Sequence, residues 1–587
     1  YKRQIRDLTT VGTNSEATVG IDFGSNNTCM YYNTPNRGTN PIVFGNYRAV
    51  LVGRENNNPK AIAENNELLF FTNFPSENGQ LKSWLHEHDS RYVGANQSSE
   101  VAGGVPVNRP NVRVQEMNEF EIKTQAGILH YNMKWLDDDK GREKKRAFLK
   151  SVWLQACAFL YTNRVHPEEV YWSYPGSMMT SDRDELEGIF EDLCKITPFG
   201  RKPELANKLF TEAEAVCSYA MSQEFGLNSN NMFLGIDVGG STSDILLIAK
   251  NPQNNNRYSL FRESSVRLAA GVFFDAVKKS EQYRQALVDF HEGHDTAVYV
   301  ENIKEIIDHP DKAPYYLNSI FDQLKDQNDY DAFYASLSSN AKFVFTIPAY
   351  VCGLLLFYSG MLIGKTIKLN RLGNIDRVEL MPFGKGGRLF HWLRHASSTR
   401  TTNEYYNNCV NAGLQLIIPD KAISVKYHEE IENDNKTEVA RGLCENNELA
   451  IVDGLNDCDI CGETGVRFIK DGNTYFIAPD DEISGEQFSD DMSYFDFSGV
   501  QNFEKFMDIF IKFVSKDTKL YQRAEDSLRD EISELPTRII SFCTNDQEYK
   551  KASKNNKNGE GFHYHQPIII AEGACFLKSL ISKVFNQ

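Results

Sequence analysis

One stretch of the chain combines glycines, hydroxyl residues and carboxylates in an order suited to binding phosphate. It reads Asp237-Val238-Gly239-Gly240-Ser241-Thr242-Ser243-Asp244 and lies between two apolar runs of strand length. Glycines let backbone N–H groups approach phosphate oxygens, hydroxyls donate hydrogen bonds, and carboxylates hold a hydrated cation. A polar β-turn of purely structural character would contain the same residues. The stretch alone therefore predicts either a phosphate-binding hairpin or an ordinary one.

The same pattern occurs upstream, at Val19-Gly20-Ile21-Asp22-Phe23-Gly24-Ser25-Asn26-Asn27-Thr28. Again an apolar strand leads into aspartate, an apolar residue and glycine, and small polar residues precede a second strand. Two copies of one hairpin predict two similar lobes that face each other across one ligand. The pairing therefore favours the phosphate interpretation over the ordinary turn.

Composition limits the classes of protein to which the chain can belong. Its 587 residues suffice for two to four domains, and 41% hydrophobic with 12% aromatic content suffices for packed cores. The formal net charge of −17 argues against a broad nucleic-acid-binding surface, which needs basic residues. Eleven cysteines, several of them inside apolar runs, are typical of reduced, buried thiols in a cytoplasmic protein.

Hydrophobic spacing indicates an α/β protein. It predicts helices at residues 143–161, 182–194 and 209–223, and strands at residues 169–174 and 377–381. Residues 343–364 carry no charge and are long enough to span a bilayer. Because Pro348, two tyrosines and one serine interrupt this run, we expect a buried core strand followed by a helix, and no membrane span.

The end of the chain, residues 446–587, is acidic and asparagine-rich. Residues 503–532 have helical spacing with one apolar face that must be covered. Short strands are expected at residues 474–477 and 568–570, the latter completed by an existing sheet, because buried unpaired backbone groups are unfavourable. This region is therefore predicted to pack on the rest of the chain. Cys458 and Cys461 have zinc-knuckle spacing, but two free thiols are favoured because no second close pair follows.

The order of these motifs resembles that of the ATPase superfamily of actin, sugar kinases and DnaK-type heat-shock chaperones, and most closely the chaperone branch. The resemblance covers residues 17–445. The two hairpins are similar to the family's first and second phosphate motifs. Lys82 in Lys82-Ser83-Trp84-Leu85 is placed like the chaperones' catalytic lysine, and Glu212 resembles the acid of their first connecting helix. Gly384-Lys385-Gly386-Gly387-Arg388 is similar to the adenosine motif, although its sequence differs from the usual Gly-Gly-Ser pattern.

This resemblance implies a two-lobed actin-like ATPase fold, with two RNase H-like lobes around a nucleotide cleft. It implies lobe I at residues 17–225, lobe II at residues 226–445, and a C-terminal extension at residues 446–587 that packs on the lobes. The implied ligands are ATP, or ADP, and Mg²⁺. The turn near Gly573 is a weaker alternative for the adenosine motif.

The resemblance also implies a role for each matching residue. The metal is expected to be held through its waters by Asp22 and Asp237. The expected catalytic residues are Lys82, Glu212, Asp237 and Thr242, although Lys82 could be a surface lysine and Glu212 an ordinary carboxylate on a helix face. The residues expected to contact the nucleotide are Asp22, Gly24, Ser25, Asn26, Gly239, Gly240, Ser241, Thr242, Gly271, Gly384, Gly386, Gly387 and Arg388.

Three functions are compatible with the resemblance. The favoured one is an ATP-binding, slowly ATP-hydrolysing chaperone-like protein without a recognisable peptide-binding domain, whose lobe closure signals to a protein partner. A small-molecule kinase of the same fold is less favoured, because no sugar-type pocket signature is present. An actin-like filament-forming ATPase is the third possibility, since filament interfaces carry no fixed motif. Neither nucleic acid nor a membrane is expected as a partner.

Overall fold

The structure is a computed structural model, and the chain divides into two compact units. The first consists of residues 1–223 and 436–448, and the second of residues 224–435 and 449–587. Strands and helices are interleaved in both units, so the α/β class expected from the sequence is confirmed. The structure describes residues 15–25, 27–44, 48–52, 74–75, 81–83, 85–88, 111–115, 127–130, 133–136, 139–176, 178, 180–198, 200–222, 230–252, 257–273, 345–396, 399–428, 437–445, 450–451, 459–483, 495–515, 519–545 and 566–585.

The described strands and helices are numbered in chain order. The strands are β1 (Ser15–Phe23), β2 (Asn27–Thr34), β3 (Gly38–Pro41), β4 (Arg48–Val52), β5 (Phe74–Pro75), β6 (Leu81–Lys82), β7 (Leu85–His88), β8 (Asn111–Gln115), β9 (Gly127–His130), β10 (Val165–Tyr174), β11 (Glu204–Leu205), β12 (Phe210–Thr211), β13 (Asn231–Val238), β14 (Ser243–Asn251), β15 (Arg257–Val266), β16 (Arg377–Phe383), β17 (Ser424–Tyr427), β18 (Ala450–Ile451), β19 (Val466–Lys470), β20 (Asn473–Ile477) and β21 (Phe495–Phe497). The helices are α1 (Asp139–Thr162), α2 (Thr180–Ile196), α3 (Glu212–Ser222), α4 (Thr346–Asn370), α5 (Arg388–Ala396), α6 (Thr399–Ile417), α7 (Glu438–Glu445), α8 (Gln501–Val514), α9 (Lys519–Thr544) and α10 (Ile568–Phe585).

The first unit is organised around β1. This strand pairs in parallel with β10 and antiparallel with β2, and β11 and β3 continue the sheet on either side. Phe23 of β1 lies against Phe148 of α1, with ring centroids 5.9 Å apart, and Trp172 of β10 stacks on Phe190 of α2 at 5.0 Å. The two helices predicted from apolar spacing at residues 143–161 and 182–194 therefore supply the core of this unit.

In the first unit, α7 packs so closely against α3 and β1 that backbone atoms of these elements are in contact. A Cβ on Gly442 of α7 would lie 1.7 Å from the carbonyl oxygen of Ala215 in α3. A Cβ on Gly20 of β1 would lie 2.4 Å from the carbonyl oxygen of Ala440. Because glycine alone fits at both points, α7 is fixed against β1 and α3 of the first unit, although it follows β17 in sequence.

The second unit is organised around β13. Its eight residues are all buried, because it pairs in parallel with β16 and antiparallel with β14 inside a larger sheet. That sheet has the order β17–β16–β13–β14–β15–β18. A continuous apolar run such as Met232-Phe233-Leu234 is typical of a strand that is covered on both faces.

The charge-free run at residues 343–364 was predicted to be a strand followed by a helix, and this prediction is wrong for the described part. Residues 346–364 are a single buried stretch of α4. Pro348 lies in the first helical turn, where the missing N–H has no intrahelical partner to lose. Although α4 is long and apolar enough to cross a membrane, its apolar part is fully buried within the protein.

The C-terminal residues of the second unit form the small sheet β20–β19–β21 and the helices α8, α9 and α10. The strand predicted at residues 474–477 and the helical spacing at residues 503–532 are confirmed by β20, α8 and α9. The strand predicted at residues 568–570 is wrong. Three isoleucines favour a strand, but they follow Pro567, whose carbonyl accepts the N–H groups of Ile570 and Ala571 and so begins α10. The alternative adenosine turn near Gly573 is excluded, because this glycine lies inside the helix.

The two main sheets share one topology. In each, a central strand continues through a hairpin into two antiparallel strands, β1–β2–β3 in the first unit and β13–β14–β15 in the second. A helix, a parallel strand, a second helix and another parallel strand then follow in both units. These are α1, β10, α2 and β11 in the first, and α4, β16, α6 and β17 in the second, where α5 is an additional helix. The similarity suggested by the two hairpin motifs therefore extends to five strands of each sheet.

Candidate functional site

The hairpin between β13 and β14 makes a tight turn at the carboxyl end of the central strand. The N–H of Gly239 donates to the carbonyl of Thr242 at 2.9 Å, and Asp237 lies opposite Asp244 in the register. Asp237 and Thr242 are buried, whereas Ser241 is exposed. The turn thus presents Gly239, Gly240 and Ser241 at the surface on a rigid base, as phosphate binding by backbone amides requires.

A second glycine segment is bonded to this turn. The N–H groups of Ala270 and Gly271 donate to the carbonyls of Gly239 and Gly240, at 3.1 and 3.0 Å. A Cβ on Gly271 would lie 2.4 Å from the Gly240 oxygen. Only glycine therefore fits at residue 271, which confirms its closeness to the hairpin but leaves a nucleotide contact as a prediction.

A third glycine segment completes the cluster from the neighbouring parallel strand. Gly384 follows β16, in which Phe383 lies opposite Asp237. A Cβ on Gly384 would lie 2.2 Å from the Asp237 Oδ1, and a Cβ on Gly386 would lie 2.4 Å from the Val238 carbonyl oxygen. Gly384 also has a φ of +66°, in the left-handed region that favours glycine. Two independent constraints thus require glycine here.

The remaining residues of this segment lead into α5. Gly387 ends a short 3₁₀ turn by donating its N–H to the carbonyl of Gly384 at 3.0 Å, and Arg388 is the first residue of the helix. Arg388 is half-buried. The structure therefore gathers Asp237, the 239–242 turn, Gly271 and the 384–388 segment at one edge of the second unit's sheet, where parallel strands end and ligands of α/β proteins commonly bind.

The first unit carries a similar turn after β1. The N–H of Gly24 donates to the carbonyl of Asn27 at 3.1 Å, which matches the Gly239–Thr242 bond residue for residue. Asp22 is buried opposite Cys29 in the register. The Ser83 hydroxyl donates to the Gly24 carbonyl at 2.6 Å and fixes the turn from the adjacent strand. Asn26 lies outside the described residues.

A buried lysine lies close to this turn, and it is not Lys82. The ammonium group of Lys134 pairs with Glu212, and the Lys134 side chain is only 2% exposed. The next residue, Trp135, donates its indole N–H to the Ser25 hydroxyl at 2.9 Å. Lys82 pairs through its backbone with Asn27, so it also lies beside the turn, and its catalytic role stays a prediction. Sequence reasoning missed Lys134, although Lys134-Trp135-Leu136 resembles the chosen Lys82-Ser83-Trp84-Leu85.

Glu212 is held in place by a capping box at the start of α3. The Thr211 hydroxyl accepts from the N–H of Glu214 at 3.0 Å, and the Glu214 carboxylate accepts from the N–H of Thr211 at 2.9 Å. Glu212 therefore occupies the first helical position, with its carboxylate on Lys134. The pair offers a fixed positive and a fixed negative group next to the Ser25 turn, which suits charge neutralisation and water orientation.

The metal predictions are tested only in part by the described residues. Among these residues, no three His, Cys, Asp or Glu side chains come together as a metal site. Mg²⁺ that keeps its waters needs fewer direct protein ligands, so roles for Asp22 and Asp237 stay predictions. Cys458 lies outside the described residues. Cys461 is a buried free thiol whose Sγ donates to the carbonyl of Glu463, and burial raises its pKa, which disfavours the thiolate that zinc requires.

Comparison with known proteins does not assign the chain to a family. No protein-family model matches it, and no curated protein matches it.

Proposed function

We propose that the chain is an actin-like, heat-shock-chaperone-like ATPase that binds ATP with Mg²⁺, hydrolyses it slowly and signals its nucleotide state to a protein partner. The observation that carries the proposal is the convergence of three glycine segments on the end of β13. Gly271, Gly384 and Gly386 each approach the backbone or side chain of another segment too closely for a Cβ. These close approaches bring the three segments together around the exposed 239–241 turn, whose backbone can bind phosphate oxygens.

The repeated sheet topology supports the same assignment. Both units place an aspartate and a glycine turn at the end of their central strand, and the two turns close with the same hydrogen bond. Three antiparallel strands followed by alternating helices and parallel strands occur in each. We therefore propose that both units have the RNase H-like fold of the actin superfamily lobes.

Each group of residues at the two turns has its own role in the proposed activity. Backbone amides of residues 240–242 bind phosphate oxygens, because the N–H of Gly239 already donates to the carbonyl of Thr242. Gly384 leaves room for the Asp237 carboxylate at the end of β16. Asp237 is an oxygen donor of the hard type that Mg²⁺ prefers, and it lies directly beside the space that a Cβ at Gly384 would fill. Bound Mg²⁺ would neutralise charge on the phosphates. Lys134 and Glu212 supply a fixed charge pair beside the Ser25 turn.

The proposal is tested by Asp237→Asn, which keeps the shape of the side chain and removes its charge. Titration calorimetry with Mg-ATP and phosphate release under multiple turnover are measured on the parent and the variant. We expect Mg²⁺-dependent hydrolysis to be lost while the circular dichroism spectrum is unchanged. Asp471→Asn is the matched control, because Asp471 is exposed in the β19–β20 turn at a φ of +51°, which asparagine tolerates. Hydrolysis by Asp237→Asn at the parent rate, or no binding of Mg-ATP by the parent, would refute the assignment.

A further inference from the structure

We propose that Gln566, which immediately precedes Pro567 and α10, is a positioning residue for the phosphate-binding turn. Residues 265–271 run from the end of β15 to the Gly271 segment. On one side this segment is bonded to the hairpin: the Ser243 hydroxyl donates to the carbonyl of Leu268 at 2.6 Å. Further along, the N–H groups of Ala270 and Gly271 donate to the hairpin's backbone carbonyls. Any shift of residues 265–271 must therefore move the turn.

The other side of the segment is held by one side chain. The Oε1 of Gln566 accepts from the N–H of Arg267 at 2.7 Å, and its Nε2 donates to the carbonyl of Ser265 at 3.5 Å. A carbonyl and an N–H two residues apart are the pair that a neighbouring parallel strand would bond. β18 pairs in parallel with β15, but only at Ser259 and Leu260. The Gln566 amide thus takes the place of a backbone neighbour beyond the end of this ladder.

Gln566 is itself firmly anchored. It is 5% exposed, and α10 begins two residues later. The N–H of Ile569 donates to the carbonyl of Cys461 at 3.3 Å, and the Tyr350 hydroxyl of α4 donates to the carbonyl of Gly573 at 2.9 Å. The C-terminal helix and the turn are therefore joined by a short series of hydrogen bonds through buried groups. We infer that Gln566 holds the turn in the geometry that binds phosphate.

The first test uses the ligand-free protein, and its outcome is independent of the proposed function. Amide hydrogen exchange is compared in the parent, Gln566→Ala and Gln415→Ala. Gln415 is the control, because its amide donates to a backbone carbonyl on the exposed surface of α6. We expect exchange at Ala270 and Gly271 to rise about tenfold in Gln566→Ala only, as loss of one or two hydrogen bonds implies. Unchanged exchange there would overturn the inference, and so would an equal rise throughout β16, which would indicate a purely global effect on stability.

The second test depends on the proposed function and uses Mg-ATP as the probe. A carboxylate in Gln566→Glu can accept from the N–H of Arg267, but it carries no proton to donate to Ser265. Burial at this position, where Gln566 is 5% exposed, raises the pKa of the introduced carboxyl above the ordinary value. We therefore expect the Mg-ATP affinity, relative to the parent at the same pH, to fall about tenfold near pH 8 and to recover as the carboxyl is protonated at acidic pH. A ratio that does not change with pH would overturn the positioning role. If the parent binds no Mg-ATP, the proposed function fails, and the exchange test still decides the role of Gln566.

Discussion

Replacing Glu572 with glutamine should make the protein more stable above pH 5, and the gain should grow as the pH rises. Glu572 lies on α10 and is fully buried beside Glu463. Glu463 accepts hydrogen bonds from the backbone N–H groups of Thr464, Asn502 and Phe503, so its carboxylate caps the start of α8. Among the described residues, no group donates a hydrogen bond to either oxygen of Glu572. The proton of this buried pair therefore resides on Glu572.

Burial first, and then the charge of Glu463, raise the pKa of Glu572 well above its usual range. The Cys575 thiol acts in the same direction, and no cation of the described part of the chain contributes to the shift. Below the unfolded-state pKa of about 4.3, the group is neutral in both states and contributes its full stability. As the pH rises above that value, the unfolded chain loses the proton first. The free energy of unfolding then falls by about 1.4 kcal/mol per pH unit, until the folded pKa is reached.

Glutamine cannot ionise, so this loss should disappear in Glu572→Gln. Urea unfolding followed by circular dichroism, at intervals from about pH 4.5 to 8.5, measures the difference in the free energy of unfolding between the parent and the variant. We expect a difference close to zero at the acidic end that increases with pH by up to about 1.4 kcal/mol per unit. Glu504→Gln, the same change at an exposed position of α8, should give a difference independent of pH. If the curves of the parent and Glu572→Gln run parallel, Glu572 is already ionised in the folded state and the reasoning is wrong.

Two further predictions concern the turns. Gly384→Ala places a Cβ against Asp237 and strains a backbone at φ +66°, so stability should fall by about 1 to 2 kcal/mol and Mg-ATP affinity should fall more than tenfold, measured by thermal unfolding and calorimetry. Lys134→Met leaves Glu212 without its buried partner, so unfolding should become easier by about 3 kcal/mol. The double variant Lys134→Met/Glu212→Gln should recover part of that loss, and strict additivity in the double-mutant cycle would contradict the pairing.

The glycine segments of the second unit could be recognised in the sequence, because each glycine there has a local reason that leaves a trace in the residue order, while their contact with a nucleotide stays a prediction. Gly239 closes a tight turn after a strand, and Gly384 combines a left-handed backbone with a close approach to Asp237. Such positions accept almost no other residue, so a strand followed by aspartate and glycine is a specific signal. The strands themselves were equally clear, because long apolar runs such as β13 are buried on both faces.

Other parts of the site left no such trace. Lys134 and Glu212 are 78 residues apart, and Gln566 and Arg267 are 299 residues apart, so nothing in the surrounding sequence identifies either pair. Lys134 directly precedes tryptophan and leucine, and a serine separates Lys82 from the same pair of residues. Tertiary packing alone decides which ammonium group is buried on a carboxylate. The isoleucines at residues 568–570 were assigned to a strand by their intrinsic propensity, which packing and Pro567 override.

The contrast between α1 and α4 shows why the charge-free run was hard to interpret. Among the described elements, each helix directly precedes the first parallel strand of its sheet. α1 covers one side of its sheet and keeps Arg142 and Arg146 half exposed, where they pair with acids of α2. α4 is covered on further sides: Tyr350 meets aromatic rings of α8 and α10, and Gly360 meets the backbone of α6 at a point where a Cβ would lie 2.0 Å from a carbonyl oxygen. Within residues 346–364 the helix has partners all round, so no position there lets a charge reach water. Helices at the same position in the two sheets therefore differ in sequence: one is amphipathic, and the other has the composition of a membrane span. The difference arises from the C-terminal helices that pack over α4.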